Sequence, residues 1–384
     1  MRRSTLRAAV VAVTAGLALT ACGSSGGTSG TSGTSGGGAN AATATSAQAL
    51  GGMDALVTAA KKEGTLNVIA LPPSWANYGA MLKAFTAKYG ININSANPDG
   101  TSQQEIDAVT SQKGQSRAPD VIDVGGSFAV QAAAQNLLAP YQVATWGDIP
   151  ANQKDAKGNW YNDYGGFISI ACNMSKVKKC PTTLKELTDP QYAKQVTLNG
   201  NPTKATAAFS GVWAASLANG GSFDDIGKGI DFFKKIKAAG NFNPVDPTGA
   251  TLQSGETPVV IDWDYSSAGQ VASSKKAGIT LTVNVPTDGL YGSFYDQAIS
   301  KFAPHPAAAR LWEEFLYSDE GQNIWLQGAS RPVRLPAMQK AGTADAAALK
   351  ALPAVQGTAA FPTEAQVTAA QKVIADRWNS EMSG

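Results

Sequence analysis

Two serine–lysine pairs at three-residue spacing, Ser175 with Lys178 and Ser273 with Lys276, match the nucleophile-and-base pattern of penicillin-recognising hydrolases. The Lys-Thr-Gly partner motif is absent, and two such pairs arise by chance in a chain rich in Ser and Lys. The carboxylates Asp262 and Asp296 offer a second chemistry, the paired acids of glycoside hydrolysis. A single histidine, His305, in a loop-like Ala-Pro-His-Pro context, removes His-based triads and two-histidine zinc sites. It reads as a surface residue. A secreted serine/lysine hydrolase or glycosidase is therefore the minor reading, and the chain is expected not to be an enzyme and to need neither cofactor nor metal.

Charge narrows the partners. There are 31 Lys and Arg against 29 Asp and Glu, but Arg2, Arg3 and Arg7 fall in a segment expected to be removed, leaving 28 against 29. Such a chain lacks the cation surplus that displaces counterions from phosphates, so nucleic acid is set aside. The three arginines precede an apolar run of about 13 residues, 8–20, too short to span a bilayer and suited to a signal-peptide core. Leu19-Thr20-Ala21-Cys22 resembles a bacterial lipobox, which implies cleavage after residue 21 and lipid on Cys22. Residues 22–50, nearly all Gly, Ser, Thr and Ala, read as a flexible tether with a reach on the order of 30 Å. The remaining cysteines, Cys172 and Cys180, are even in number for an oxidising compartment and are expected to pair. Their small loop is worth roughly 2.5 kcal/mol.

The elements that must position any site alternate. Residues 53–63 read as an amphipathic helix ending at Gly64, and 65–71 as a strand. Trp75, Tyr78, Leu82, Phe85 and Tyr89 mark one face of a second helix, 91–94 and 120–124 are strands, and a turn at Gly125-Gly126 leads into a helix near Ser127. The alternation repeats with strands at 167–172, 196–198, 259–263 and 279–285, helices at 205–219 and 226–238, and a strongly helical stretch at 307–327. This predicts two α/β units, each with a mainly parallel sheet. Their ligand site belongs at loops after strands and at helix N-termini. Those loops carry Ser74, Trp75, Ser127, Tyr164, Thr203, the stretch 262–265, and 291–296. On the strand ending at Asp262, alternation puts Asp262 and Asp264 on one face, Trp263 and Tyr265 on the other. Around 201–206, hydroxyls, a helix start and Lys204 suit an anion, or Thr203 is a plain helix cap.

The order of several phrases resembles the solute-binding proteins of ABC importers, in the cluster that handles polyamines, ferric iron, phosphonates and thiamine. Carrying the resemblance are Ala59, Lys62-Glu63-Gly64-Thr65-Leu66, Ala118-Pro119-Asp120-Val121, residues 184–190, residues 289–298 before Ala303-Pro304, and residues 307–322. It implies a type II periplasmic-binding-protein clamshell, an α/β fold of two lobes joined by hinge crossover strands. Lobe 1 then comprises 51–166 and 293–340, lobe 2 comprises 167–292, and 341–384 is a C-terminal helical segment. It further implies a monomer tied to the outer face of the cell membrane, delivering an unaltered solute to an ABC permease. Phe294-Tyr295-Asp296 resembles the element by which polyamine binders hold an ammonium, so Asp296 is the first candidate ligand residue, with a hinge hydrogen bond as its alternative. A ring face adds about 0.5–2 kcal/mol toward a cation. The family tryptophan position favours Trp263 lining the cleft, leaving Asp264 to structure. The candidate set is Ser74, Trp75, Tyr78, Ser127, Tyr164, Thr203, Lys204, Trp263, Tyr265, Tyr291, Phe294, Tyr295 and Asp296. An amine-containing solute is expected, a polyamine or an aminoalkylphosphonate, the latter with its cationic and anionic ends fitting both halves better than spermidine does. Ferric iron is the alternative in the same fold, since tyrosines are scattered over the right loops although no Tyr-Tyr pair occurs.

Overall fold

The computed structural model describes residues 40–357 and 361–382; the leader, the lipobox and Cys22 lie outside the described residues. In chain order the elements are α1 (Met53–Glu63), β1 (Thr65–Ile69), α2 (Tyr78–Tyr89), β2 (Asn92–Ala96), α3 (Ser102–Ser111), β3 (Val121–Gly125), α4 (Gly126–Ala134), β4 (Leu138–Ala139) and β5 (Tyr161–Asn173). There follow β6 (Val196–Leu198), α5 (Thr206–Ala218), α6 (Gly227–Ala238), α7 (Gly249–Ser254), β7 (Val259–Trp263), α8 (Asp264–Lys276), β8 (Leu281–Asn284) and β9 (Gly292–Ser300). The chain ends with α9 (Pro306–Leu316), α10 (Asp319–Gln327), β10 (Arg331–Pro332), α11 (Leu335–Ala341), α12 (Ala346–Ala351) and α13 (Glu364–Met382).

Strand β5 joins the two lobes. Its first half pairs antiparallel with β9, which in turn pairs with β3. From Ile168 onward the same strand pairs with β7 and β8. The sheets are thus mixed: β1 with β2 and β6 with β7 are parallel, but every ladder that crosses the hinge is antiparallel. The mainly parallel expectation fails because helix–strand alternation reports local order and is blind to a long strand shared by two lobes. Residues 291–296 and 162–164, expected as loops, belong largely to β9 and β5, with a register irregularity between Asn162 and Gly165. The 307–327 stretch holds two helices, because Ser318 caps α10 by accepting from the Gly321 N–H.

Each lobe packs helices against its strands. Helix α5 is buried on nearly every residue, which is why it carries Ala, Ser and Gly and no charge. Helix α13 lies on α6 of lobe 2 through Trp378 against Phe233, ring centroids 5.6 Å apart, and an Arg377–Asp231 ion pair of 2.7 Å. Cys172 and Cys180 are bonded, their Cα atoms 5.6 Å apart.

Two expectations change. Residues 40–50 are not tether: Ala44 and Ala47 are buried, and the Arg310 guanidinium donates to the Ala44 and Ala42 carbonyls at 2.7 and 3.1 Å. His305 is no free surface residue. Its Nδ1 lies 2.8 Å from Oδ2 of the buried Asp120, whose Oδ1 accepts from the His305 backbone N–H.

Candidate ligand-binding site

The lobes face each other across a cavity of about 430 Å³. Lobe 1 supplies Ser74 and Trp75 from the loop after β1, Asp99 to Ser102 and Glu105 from the entry to α3, Asp123 on β3 and Tyr295 on β9. Lobe 2 supplies Asn199, Gly200 and Ala205 to Ala207 leading into α5, Asp246 to Gly249 leading into α7, Asp262 on β7, and Ser266, Ser267 and Gln270 on α8. The walls are therefore strand ends and helix starts from both lobes. The lobes touch: Ser102 Oγ lies 3.4 Å from Thr206 Oγ1, and the Trp75 ring meets Tyr265 edge-on at 5.6 Å.

The electrostatics have one sign. Among the described residues, the charged side chains lining the cavity are Asp99, Glu105, Asp123, Asp246 and Asp262, with no Lys, Arg or His in the lining. Three are deep. Burial pushes the Asp123 carboxyl up to about 7, against the pull of hydrogen bonds from the Tyr78 and Tyr164 hydroxyls at 2.7 and 2.9 Å on Oδ2. Burial also raises Asp262 to about 6, offset by donors that include Ser266 Oγ at 2.7 Å. Glu105 is raised well above its ordinary value by burial and by Asp123, and accepts the Asp123 N–H at 2.9 Å. Behind Asp123 the network continues: Gln297 donates to Tyr78 and to Asp163, and Tyr164 accepts from the Trp75 indole at 2.7 Å.

Of the sequence candidates, Ser74, Trp75 and Tyr295 line the cavity. Tyr78 and Tyr164 stand one layer behind, holding Asp123. Asp296 does not reach the cavity; it is fully buried on β9, opposite Val124 and Asn162. Trp263 is buried in the core, stacked on Tyr265, and Asp262 takes the cleft-facing place instead. Alternation stops at Trp263 because Asp264 opens α8, where it pairs with Arg331 at 2.6 Å. Tyr291 stacks on Trp213, and Phe294 lies against Phe361. Ser127 is within α4, outside the lining. Thr203 and Lys204 also miss it: the Thr203 hydroxyl donates to Asn201, Lys204 is exposed, and α5 begins two residues later at Thr206.

Sequence reasoning passed over Glu105 and Asp123. A signal existed for Asp123, an acid inside the otherwise apolar Val121–Gly125 strand, where a buried charge requires partners. Glu105 follows Ser102 by three residues, on one face of α3.

Comparison with known proteins agrees with this architecture. Residues 116–356 match the family described as bacterial extracellular solute-binding protein. An uncharacterized protein of Haemophilus influenzae is 25% identical over 272 residues, 65% of this chain and 72% of its own. Among solved structures, a periplasmic thiamin binding protein superposes with a TM-score of 0.65 at 18% identity, covering 83% of this chain and 96% of that one. AfuA of Actinobacillus pleuropneumoniae, with fructose-6-phosphate bound, gives 0.64 at 21%, covering 83% and 98%. Iron-bound HitA of Pseudomonas aeruginosa gives 0.57 at 21%, covering 81% and 98%. These likenesses establish the two-lobed periplasmic-binding-protein fold. With the family match spanning most of the described residues, the chain belongs to the bacterial extracellular solute-binding proteins that serve ABC importers, a family that implies a small-molecule solute and an ABC permease as partners.

Proposed function

We propose that the chain captures a small organic cation bearing one or more amines and presents it, chemically unaltered, to its permease. The observation that carries this reading is the all-acidic lining: Glu105, Asp123 and Asp262 at the base, Asp99 and Asp246 at the exposed mouth. A carboxylate buried without a counter-charge is costly, and an entering ammonium supplies the charge. Trp75 and Tyr295 add ring faces beside the acids, each worth about 0.5–2 kcal/mol to a cation. Two separated sets of acids suit an elongated amine of the polyamine kind. The aminoalkylphosphonate keeps the α5 N-terminus as an anion site but loses Lys204, which stands outside the lining. Ferric iron gains nothing here, because the Tyr78 and Tyr164 hydroxyls donate to Asp123 and of the candidate tyrosines Tyr295 alone lines the cavity. The protein acts outside the cytoplasm as a monomer, held to the membrane by lipid on Cys22. Closure follows from a ligand that touches both lobes, which stabilises the closed state by its extra contacts there.

A thermal-shift panel tests the reading, with putrescine, spermidine, 2-aminoethylphosphonate, thiamine, phosphate and ferric citrate. An amine at a hundred times its dissociation constant is expected to stabilise the fold by about 2.7 kcal/mol. A response to phosphate or ferric citrate alone overturns it.

A further inference from the structure

The acids of the cleft raise a question that ligand class leaves open: how the empty protein tolerates them. Asp123 sits on β3 among groups that mostly repel its charge. Glu105 faces it from α3, Asp163 from β5 and, through Asp163, Asp296 from β9, Glu313 from α9 and Tyr295 from β9, while Asp262 and Tyr265 stand across the cleft at the β7–α8 junction. The partners of Asp123, Glu105 and Asp163 are phenols from α2 and β5, the Gln297 amide, and backbone N–H groups. None is a cation. Asp123 ties the three buried carboxyls together, its side chain hydrogen-bonded to Asp163 and its N–H donated to Glu105 at 2.9 Å, and carboxyls so placed cannot all ionise in a low-dielectric interior, just as two carboxylates sharing a site keep a proton between them.

We propose that this cluster holds a proton in the ligand-free protein and releases it to solvent when an ammonium group enters the cleft. The exchange balances: the O–H bond of a carboxyl breaks, the proton passes to water or buffer, and the new carboxylate faces the incoming cation, so the charge inside the cleft is unchanged. Burial, which raises Asp123, Glu105 and Asp163 alike, acts in the same direction. Affinity for amines therefore rises with pH through the neutral range. An anionic ligand would retain the proton or take one up, so the sign of proton exchange reports the charge of the solute. The proposal rests on the cationic-solute reading above.

Two measurements on the purified protein test it. Infrared titration of the ligand-free protein is expected to retain a protonated carboxyl C=O band above about pH 6, weakened in Asp123→Asn or in Glu105→Gln. Calorimetry of spermidine binding in phosphate and in Tris buffer near pH 7 is expected to reveal release of roughly half to one proton per ligand. Absence of the band overturns the proton store whatever the ligand proves to be. Tight spermidine binding with buffer-independent heat overturns the exchange while leaving the cationic reading intact. A persistent band with no response to any amine overturns the cationic reading and the exchange together.

Discussion

Arg310 illustrates how much one side chain decides. It is buried on α9, yet its nearest hydrogen-bond partners are carbonyls: Ala44, Ala42 and, in its own helix, Pro306. A guanidinium in that position fastens residues 40–50 to lobe 1, so this part of the expected tether is folded chain. Arg310→Met leaves the Ala42 and Ala44 carbonyls without their donor and is expected to cost about 1–3 kcal/mol. Limited proteolysis should then cut within residues 40–50 while the body of the protein resists, and an unchanged digestion pattern would count against the clamp. At this scale composition was a poor guide, since small residues pack as readily as they flex once a partner exists. The same holds in the cleft. Asp296 and Asp123 are both acids on neighbouring strands, and only the pairing of β3 with β9 decides which of them reaches the cavity. Asp262, and not Trp263, faces the cavity, because the side-chain face of a strand end depends on where the following helix begins.

Among the elements, the end of β3 meets the start of α5 across the cleft. A Cβ built on Gly125 would fall 2.8 Å from Thr206 Cβ in the opposite lobe. Gly125 itself has φ −63° and ψ 147°, a conformation open to any residue. Gly125→Ala should therefore leave lobe 1 unstrained and oppose only the closed arrangement. Overpacking of this kind costs roughly 1–3 kcal/mol, so ligand affinity is expected to fall about 5- to 150-fold with the ligand-free melting temperature nearly unchanged. Titration calorimetry and small-angle scattering with and without ligand would check it, and undiminished affinity would remove Gly125 from the closing surface. Helices and short strands bounded by Gly or Pro were legible from spacing, as α1, α6 and β7 attest. Strand β9 was not. Its Ser, Asp and Gln residues look like a loop until the strand is buried between β3 and β5, where tertiary pairing outweighs local propensity.

For the whole molecule, several buried carboxyls are raised by burial and make stability depend on pH. Burial raises Asp262 to about 6, Asp123 to about 7 and Glu313 to about 8, so the folded chain holds these protons more tightly than the unfolded chain does. Their stabilising contribution is complete below the ordinary carboxyl range and is lost as pH rises through the folded values. His305, raised by its hydrogen bond to Asp120, behaves alike: its share is present below about 6.5 and disappears as pH climbs past its folded value. Glu186, lowered by Lys179, works the other way, but only in acid. The ligand-free protein is accordingly expected to melt highest near pH 5 and progressively lower toward pH 8.5, each fully titrating group adding about 1.4 kcal/mol per pH unit to the slope. Bound amine supplies the counter-charge that Asp123 and Asp262 lack, so saturating spermidine should flatten the decline and stabilise more at pH 8 than at pH 5.5. Scanning calorimetry across that range decides it. A ligand-free melting temperature that holds steady or rises between pH 6 and 8 would mean that the cleft acids are ionised and already compensated, and would remove the electrostatic basis for a cationic solute.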